Sequence, residues 1–149
     1  MKQIDDITWQ SNDGLITFKN MDCNEFMAGC KDKEFDLNLS DPPYGIGVAK
    51  MAYTQEDNRA CKQKNGKYLS VKKEKYKYGD WDVKVPEKYV FDNIFRTSKN
   101  QIIWGVNYLP YIFGNGRIVW YKLNGDNSFS DAEIAYCSYH DRVRVFEFI

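Results

Sequence analysis

The residues best equipped for chemistry in this chain are Asp41-Pro42-Pro43-Tyr44. A carboxylate, two prolyl carbonyls and a phenol ring stand in four consecutive positions. Proline fixes φ at about −65° and carries no N–H, so a double proline ends any strand that runs into it and leaves a stiff turn. Residues 34–40 (EFDLNLS) read as that strand. The turn then falls at a strand's carboxyl end, where open α/β sheets bind their ligands. Such a corner suits an amino group on a planar ring. The lone pair of an exocyclic amino nitrogen is delocalised into its ring, which makes it a weak nucleophile. Two acceptors on its hydrogens, Asp41 and the Pro42 carbonyl, favour a more tetrahedral nitrogen and aim the lone pair. Tyr44 offers a surface for stacking, worth about 1–3 kcal/mol per base. A base in a duplex must first leave the stack, at a cost of roughly a few kcal/mol. Taken alone, the same tetrapeptide also fits an ordinary type I turn.

Several elements must position this corner. Residues 15–19 alternate like a strand, and Asp22 or Asn24 can cap a short helix over 25–27. Residues 87–96 place Val90, Phe91, Ile94 and Phe95 at helical spacing behind Pro86. Residues 101–104 read as a buried strand, 105–107 as a turn and 117–122 as another strand. Ser130 with Glu133 three positions on is the capping-box pattern and predicts a helix over 131–137. Residues 142–149 alternate strictly and predict a last strand. The order of strands and helices predicts an α/β sheet of mixed direction. Phe91, Trp104 and Trp120 read as core residues, Asp131 and Glu133 as capping residues, and His140 as an exposed loop residue.

Residues 48–78 differ in kind. Nine basic residues (Lys50, Arg59, Lys62, Lys64, Lys67, Lys72, Lys73, Lys75, Lys77) face three acidic ones (Glu56, Asp57, Glu74), a surplus of six positive charges. Tyr53, Tyr68, Tyr76 and Tyr78 are scattered among them. The stretch reads as a long basic loop over about residues 48–80. It is either a solvated insertion or a segment that closes over DNA, with Lys62, Lys64, Lys67, Lys72 and Lys73 on phosphates and the tyrosines near bases.

The whole chain bounds these readings. Its 149 residues are one domain's length, and 43% hydrophobic with 16% aromatic content is enough for a core. Zero net charge means that any affinity for nucleic acid comes from local patches. Cys23, Cys30, Cys61 and Cys137 show no C-x-x-C pair, and with His140 as the one histidine no metal site is expected. Reduced thiols, no signal-like N-terminus and no apolar run near 20 residues predict a cytoplasmic domain without a membrane partner.

The segment FDLNLSDPPYGIG resembles the catalytic motif of amino-group DNA methyltransferases, whose D-P-P-Y form marks the N6-adenine type. Other segments agree in order. Asn20-Met21-Asp22-Cys23 resembles the family's Gly-Asp segment one strand earlier, with Met21 where glycine is usual. Ile103-Trp104-Gly105-Val106-Asn107-Tyr108 resembles the W-G-G-N-Y segment of phage and prophage members, with Val106 for the second glycine. Ile118-Val119-Trp120-Tyr121-Lys122 resembles their I-V-W-D-K strand, with Tyr121 for Asp, and Ser130-Asp131-Ala132-Glu133 matches their S-D-A-E. The resemblance covers roughly residues 13–149.

It implies a Rossmann-like methyltransferase sheet, incomplete and mixed, with an antiparallel edge. It implies S-adenosylmethionine as methyl donor and double-stranded DNA as partner. Asp41, Pro42, Pro43 and Tyr44 would be catalytic, with Asp22 and Asp41 contacting the donor and Tyr44 stacking on a flipped adenine. The amino nitrogen would attack the sulfonium methyl directly, with no covalent enzyme intermediate. Enzymes of N4-cytosine type more often carry Ser in place of the Asp, so Asp41 favours adenine. In this group the donor-binding glycine motif follows the catalytic one. Gly45-Ile46-Gly47 and Gly114-Asn115-Gly116 do not fit it, so a chain that stops before it is expected, completed by a C-terminal segment or a complementing chain. A catalytically silent remnant or a DNA-binding half is the alternative.

Overall fold

Apolar residues at two periods, near 2 and near 3.6, give ten strands and two helices among the described residues. A computed structural model of the chain describes residues 1–47, 58–62, 68–72, 80–123 and 130–147. In order these are β1 (Lys2–Asp5), β2 (Thr8–Gln10), β3 (Thr17–Lys19), α1 (Cys23–Ala28), β4 (Phe35–Ser40), β5 (Asn58–Lys62), β6 (Tyr68–Lys72), α2 (Lys88–Thr97), β7 (Ser98–Trp104), β8 (Arg117–Tyr121), β9 (Ala132–Cys137) and β10 (Val143–Glu147).

The main sheet has the order β10-β8-β9-β7-β4. Four strands run one way, since β4 pairs parallel with β7 and β10 pairs parallel with β8. The reversed strand β9 lies between β7 and β8, antiparallel to both. An α/β architecture with a mixed sheet is therefore present. The expected antiparallel edge is not: both edge strands pair in parallel, and the reversed strand is central.

The expected helix over 131–137 is likewise overturned, because Ala132–Cys137 is β9. Ala135, Tyr136 and Cys137 are all buried, with β7 and β8 on either side. A strand buried on both faces loses its alternation, so its pattern does not distinguish it from a buried helix. Ser130 Oγ donates to the Ala132 carbonyl at 2.6 Å instead of accepting from a helical N–H.

The core forms on one face of this sheet. Met27 of α1 and Val90, Phe91 and Ile94 of α2 pack with Ile103, Leu109 and Tyr136. Phe91 is 1% exposed. Its ring meets Tyr111 at 5.1 Å and Phe113 edge-on at 5.8 Å. On the other face, register places Leu39, Ile102, Trp104, Ile118, Trp120 and Phe146 together. None of these six is fully buried, which corrects the reading of Trp104 and Trp120 as core.

Cations at the end of α2 aim β4. Arg96 donates to the carbonyls of Met27 at 2.6 Å and Cys30 at 2.8 Å, and Lys33 Nζ reaches the carbonyls of Phe95 at 2.7 Å and Ser98 at 3.1 Å. Helix C-termini carry partial negative charge and unpaired carbonyls, so these cations join α1, the turn before β4 and the start of β7 into one block.

The described residues also form two small sheets. β1, β2 and β3 form an antiparallel meander. Its first two strands had no counterpart in the sequence reading. The signal was Asp5, whose carboxylate accepts the Ile7 amide at 2.9 Å and makes the turn. Residues 58–62 and 68–72, expected as loop, are β5 and β6, paired antiparallel with Lys62 opposite Tyr68 and Asn58 opposite Lys72. Cross-strand pairing there overrides a composition too polar to announce a strand. Lys64, Lys67 and Lys73 lie outside the described residues.

Truncating Phe91 to Ala should lower unfolding free energy by about 3–5 kcal/mol, because the aromatic cluster cannot close around the vacated volume. Denaturant unfolding should show that loss, with Ile112→Ala, at 95% exposed, staying within about 0.5 kcal/mol of the parent.

Candidate active site

Parallel strands place their carboxyl ends on one edge of the sheet. Here that edge gathers Asp41 to Tyr44 after β4, Gly105 to Tyr108 after β7 and Lys122 after β8, with Glu133 near the start of the reversed β9. Backbone hydrogen bonds hold the pieces in place. Gly105 N–H donates to the Ile134 carbonyl at 2.9 Å, and Lys122 N–H to the Asp131 carbonyl at 2.9 Å.

The Asp-Pro-Pro-Tyr corner is fixed by a residue absent from the sequence reading. Asp82 is 2% exposed, and one of its carboxylate oxygens accepts two amides, from Tyr44 at 2.8 Å and Gly45 at 2.9 Å. Its main-chain carbonyl accepts the Gly47 amide at 2.9 Å. Prolines 42 and 43 supply no amides, so Tyr44 and Gly45 are the first donors available past the strand. Gly45, at φ +72°, lies close to Val85: a Cβ there would approach that residue's Cγ1 and amide nitrogen to 3.2 Å. A signal for Asp82 existed in its place among Asp80-Trp81-Asp82, directly after the basic stretch, but nothing in the sequence identifies its partners.

Tyr44 is held on several sides. Its ring stacks on Tyr108 with centroids 5.1 Å apart and planes 16° from parallel. Gly105 lies against the same ring, and a Cβ there would come within 2.0 Å of Cε1. Only glycine tolerates both that approach and the φ of +71°. The two segments that resembled one family in sequence are thus in contact in space. The Tyr44 hydroxyl donates to Asp41 Oδ1 at 2.5 Å. Burial first, then this hydrogen bond and the charges of Asp41 and Glu133, raise the phenol's pKa well above its ordinary 10.0.

Asp41 is exposed and, among the described residues, makes no ion pair; the Tyr44 hydroxyl is its one hydrogen-bond partner. A carboxylate has about four acceptor sites, so it retains capacity for incoming donors. The Pro42 carbonyl accepts no hydrogen bond from the described residues. Beside the corner, Lys122 Nζ pairs with the Glu133 carboxylate at 2.5 Å and lies 5.7 Å from the Trp120 ring centroid. Glu133 thus belongs to the site's edge, not to a helix cap.

Asp22 is placed elsewhere. It caps α1, and its Oδ1 accepts the amides of Asn24 at 2.7 Å and Glu25 at 3.3 Å. The strand before it, β3, belongs to the meander, and no hydrogen bond or ion pair among the described residues joins Asp22 to the corner. His140 is half-buried, not exposed, and its Nδ1 has no partner among the described residues.

Replacing Asp82 by Ala strands two partly buried amides and should cost about 2–4 kcal/mol, whereas Asp82→Asn, which keeps an acceptor oxygen, should cost roughly half as much. Denaturant unfolding of the three proteins reads the difference; equal stability of Asp82→Ala and parent would show that the carboxylate does not hold the corner. A second outcome concerns pH. The raised Tyr44 pKa means that the folded state keeps a proton that the unfolded chain releases near pH 10. That contribution is complete below pH 10 and is lost as pH climbs toward the folded value. Stability should therefore fall more steeply above pH 10 in the parent than in Tyr44→Phe, as read by thermal melts across that range.

The chain was compared with protein-family models, with curated proteins and with solved structures, and no match was found in any of the three.

Proposed function

We propose that this chain carries the target-amino-group half of a DNA adenine-N6 methyltransferase site, with S-adenosylmethionine as the donor that the motif resemblance implies. The observation that carries the reading is the corner itself. An exposed carboxylate, a free prolyl carbonyl and a stacked phenol stand together at the carboxyl edge of a parallel set of strands. Asp41 accepts one hydrogen of the amino group through a site that the Tyr44 hydroxyl leaves open. The Pro42 carbonyl is the acceptor for the other. Engaging both hydrogens draws the nitrogen lone pair out of the ring's π system and leaves it directed at an electrophile.

Tyr44 has a double role in this reading. Its hydroxyl fixes the Asp41 rotamer, and its ring, steadied by Tyr108 and Gly105, gives a rigid aromatic surface beside the amino group. One side of that ring is already used by Tyr108, so adenine stacks either elsewhere on Tyr44 or after Tyr108 turns aside. When bound, the donor supplies an electrophilic methyl group. Of the two expected donor contacts, Asp41 is at the corner and Asp22 caps α1 through its Oδ1.

That engagement favours a second reading, in which the chain binds DNA and is catalytically silent without a second segment. Calorimetry with S-adenosylmethionine separates the two. Tight binding by the 149-residue chain supports a complete donor site, and no heat supports the silent half.

The first reading is tested by transfer of labelled methyl from S-adenosylmethionine to mixed-sequence duplex DNA. Asp41→Ala should reduce transfer by a hundredfold or more with an unchanged melting temperature, since Asp41 is exposed and carries no ion pair. Methylation by Asp41→Ala at the parent's rate would refute the assignment.

A further inference from the structure

Asp82 fixes more than the corner. By accepting the amides of Tyr44, Gly45 and Gly47, it draws residues 44–47 against residues 80–83. A turn closes beside it, with Val83 N–H donating to the Asp80 carbonyl at 3.3 Å. The neighbours of these buried contacts are left outside. Trp81 is 61% exposed, and Ile46 and Val83 are exposed with it. Three exposed apolar residues from two distant stretches of sequence thus flank the clamp that ties Tyr44, Gly45 and Gly47 to Asp82. Single exposed apolar residues are ordinary, but a tryptophan held outward by a buried carboxylate one position away is a placed feature. Tyr108, also exposed, adds a second aromatic ring at the same edge.

Charge identifies the occupant. Residues 48–78 carry the surplus of six positive charges, and the chain enters and leaves that stretch at Gly47 and Asp80, the two ends of this clamp. A polyanion is the partner that suits the charge of a stretch joined to the clamp at both ends. A nucleic-acid strand presents phosphates to the cations and flat bases to the indole, whereas an apolar protein surface satisfies only the second. Tryptophan offers the largest aromatic face, and stacking against a base is tolerant of sequence.

We propose that Trp81, flanked by Ile46 and Val83, is a stacking platform for an unstacked base of a DNA strand engaged at the Asp41–Tyr44 corner. The proposal rests on the nucleobase reading of that corner and adds to it a residue that grips the strand beside the target. Stacking is short-ranged and releases no counterions, so it differs from lysine–phosphate contact in its response to salt.

The test is titration of the full chain into a fluorescein-labelled single-stranded oligonucleotide of about 20 mixed-sequence nucleotides, and into its duplex, at several salt concentrations. Trp81→Ala should weaken single-strand binding roughly fivefold or more at every salt concentration. The slope of log affinity against log salt should stay unchanged, and Trp81→Phe should retain most of the affinity. Binding should quench tryptophan fluorescence in the parent, with that component absent in Trp81→Ala. Equal melting temperatures of parent and Trp81→Ala exclude unfolding as the cause. Parent-like affinity of Trp81→Ala, or a loss that comes with a changed salt slope, would overturn the proposal. So would self-association of the chain that Trp81→Ala abolishes while oligonucleotide binding is kept. No binding of either oligonucleotide by the parent would overturn the DNA reading of the corner together with this one. Trp81-dependent binding without methyl transfer would leave this proposal standing and remove only the enzymatic one.

Discussion

A single buried carboxylate organises the candidate site at the carboxyl edge of the sheet. Asp82 accepts three amides through two of its oxygen atoms, and all three belong to the first residues after the double proline that can donate at all. The two amides on its carboxylate make charge-assisted bonds, stronger than neutral ones, and an unpaired carboxylate at 2% exposure would be costly. The corner and the turn at residues 80–83 therefore stand or fall together. Tyr44's place on Gly105 and Tyr108, and the hydrogen bond that orients Asp41, both follow from it.

The second constraint is strand direction. With β4, β7 and β8 parallel, their carboxyl ends gather the corner, the glycine turn and Lys122 on one side. The reversed β9 then brings its amino end to that same side, which is how Glu133 joins Lys122 and influences Tyr44. Had 131–137 been a helix, no central strand would join β7 to β8 and the sheet would divide in two. An ion pair in this half-buried position contributes little to stability, since desolvation offsets most of its attraction.

The corner was legible because its information is local. Proline's missing N–H and fixed φ hold wherever it occurs, so the end of β4 and the exposure of a carboxylate beside it could be read directly. The pairing of Gly105 with Tyr44 was legible only as two separate motifs; that a Cβ at one would strike the ring of the other is a fact of contact, not of composition. Asp22 shows the opposite case. Its motif suggested a ligand contact, and what the structure shows is its Oδ1 accepting the free amides of the helix it precedes. Asp82 was invisible because its partners lie 37 and 38 residues away.

The sequence by itself determined the elements whose signals are short-ranged: α2 from its 3.6-residue apolar period, the strand before the prolines, and the alternating β10. It also determined the chemistry that the corner can offer, because residue type sets acceptors and rings. Only the tertiary structure decided that Ala132–Cys137 is a strand, since burial on both faces erases the period that would separate strand from helix. It alone decided strand order, the union of β5 with β6, and the convergence of Asp82, Gly105, Tyr108 and Glu133 around Tyr44. Hydrogen bonds and ring contacts between distant residues depend on where the chain returns, and neither composition nor local spacing records that.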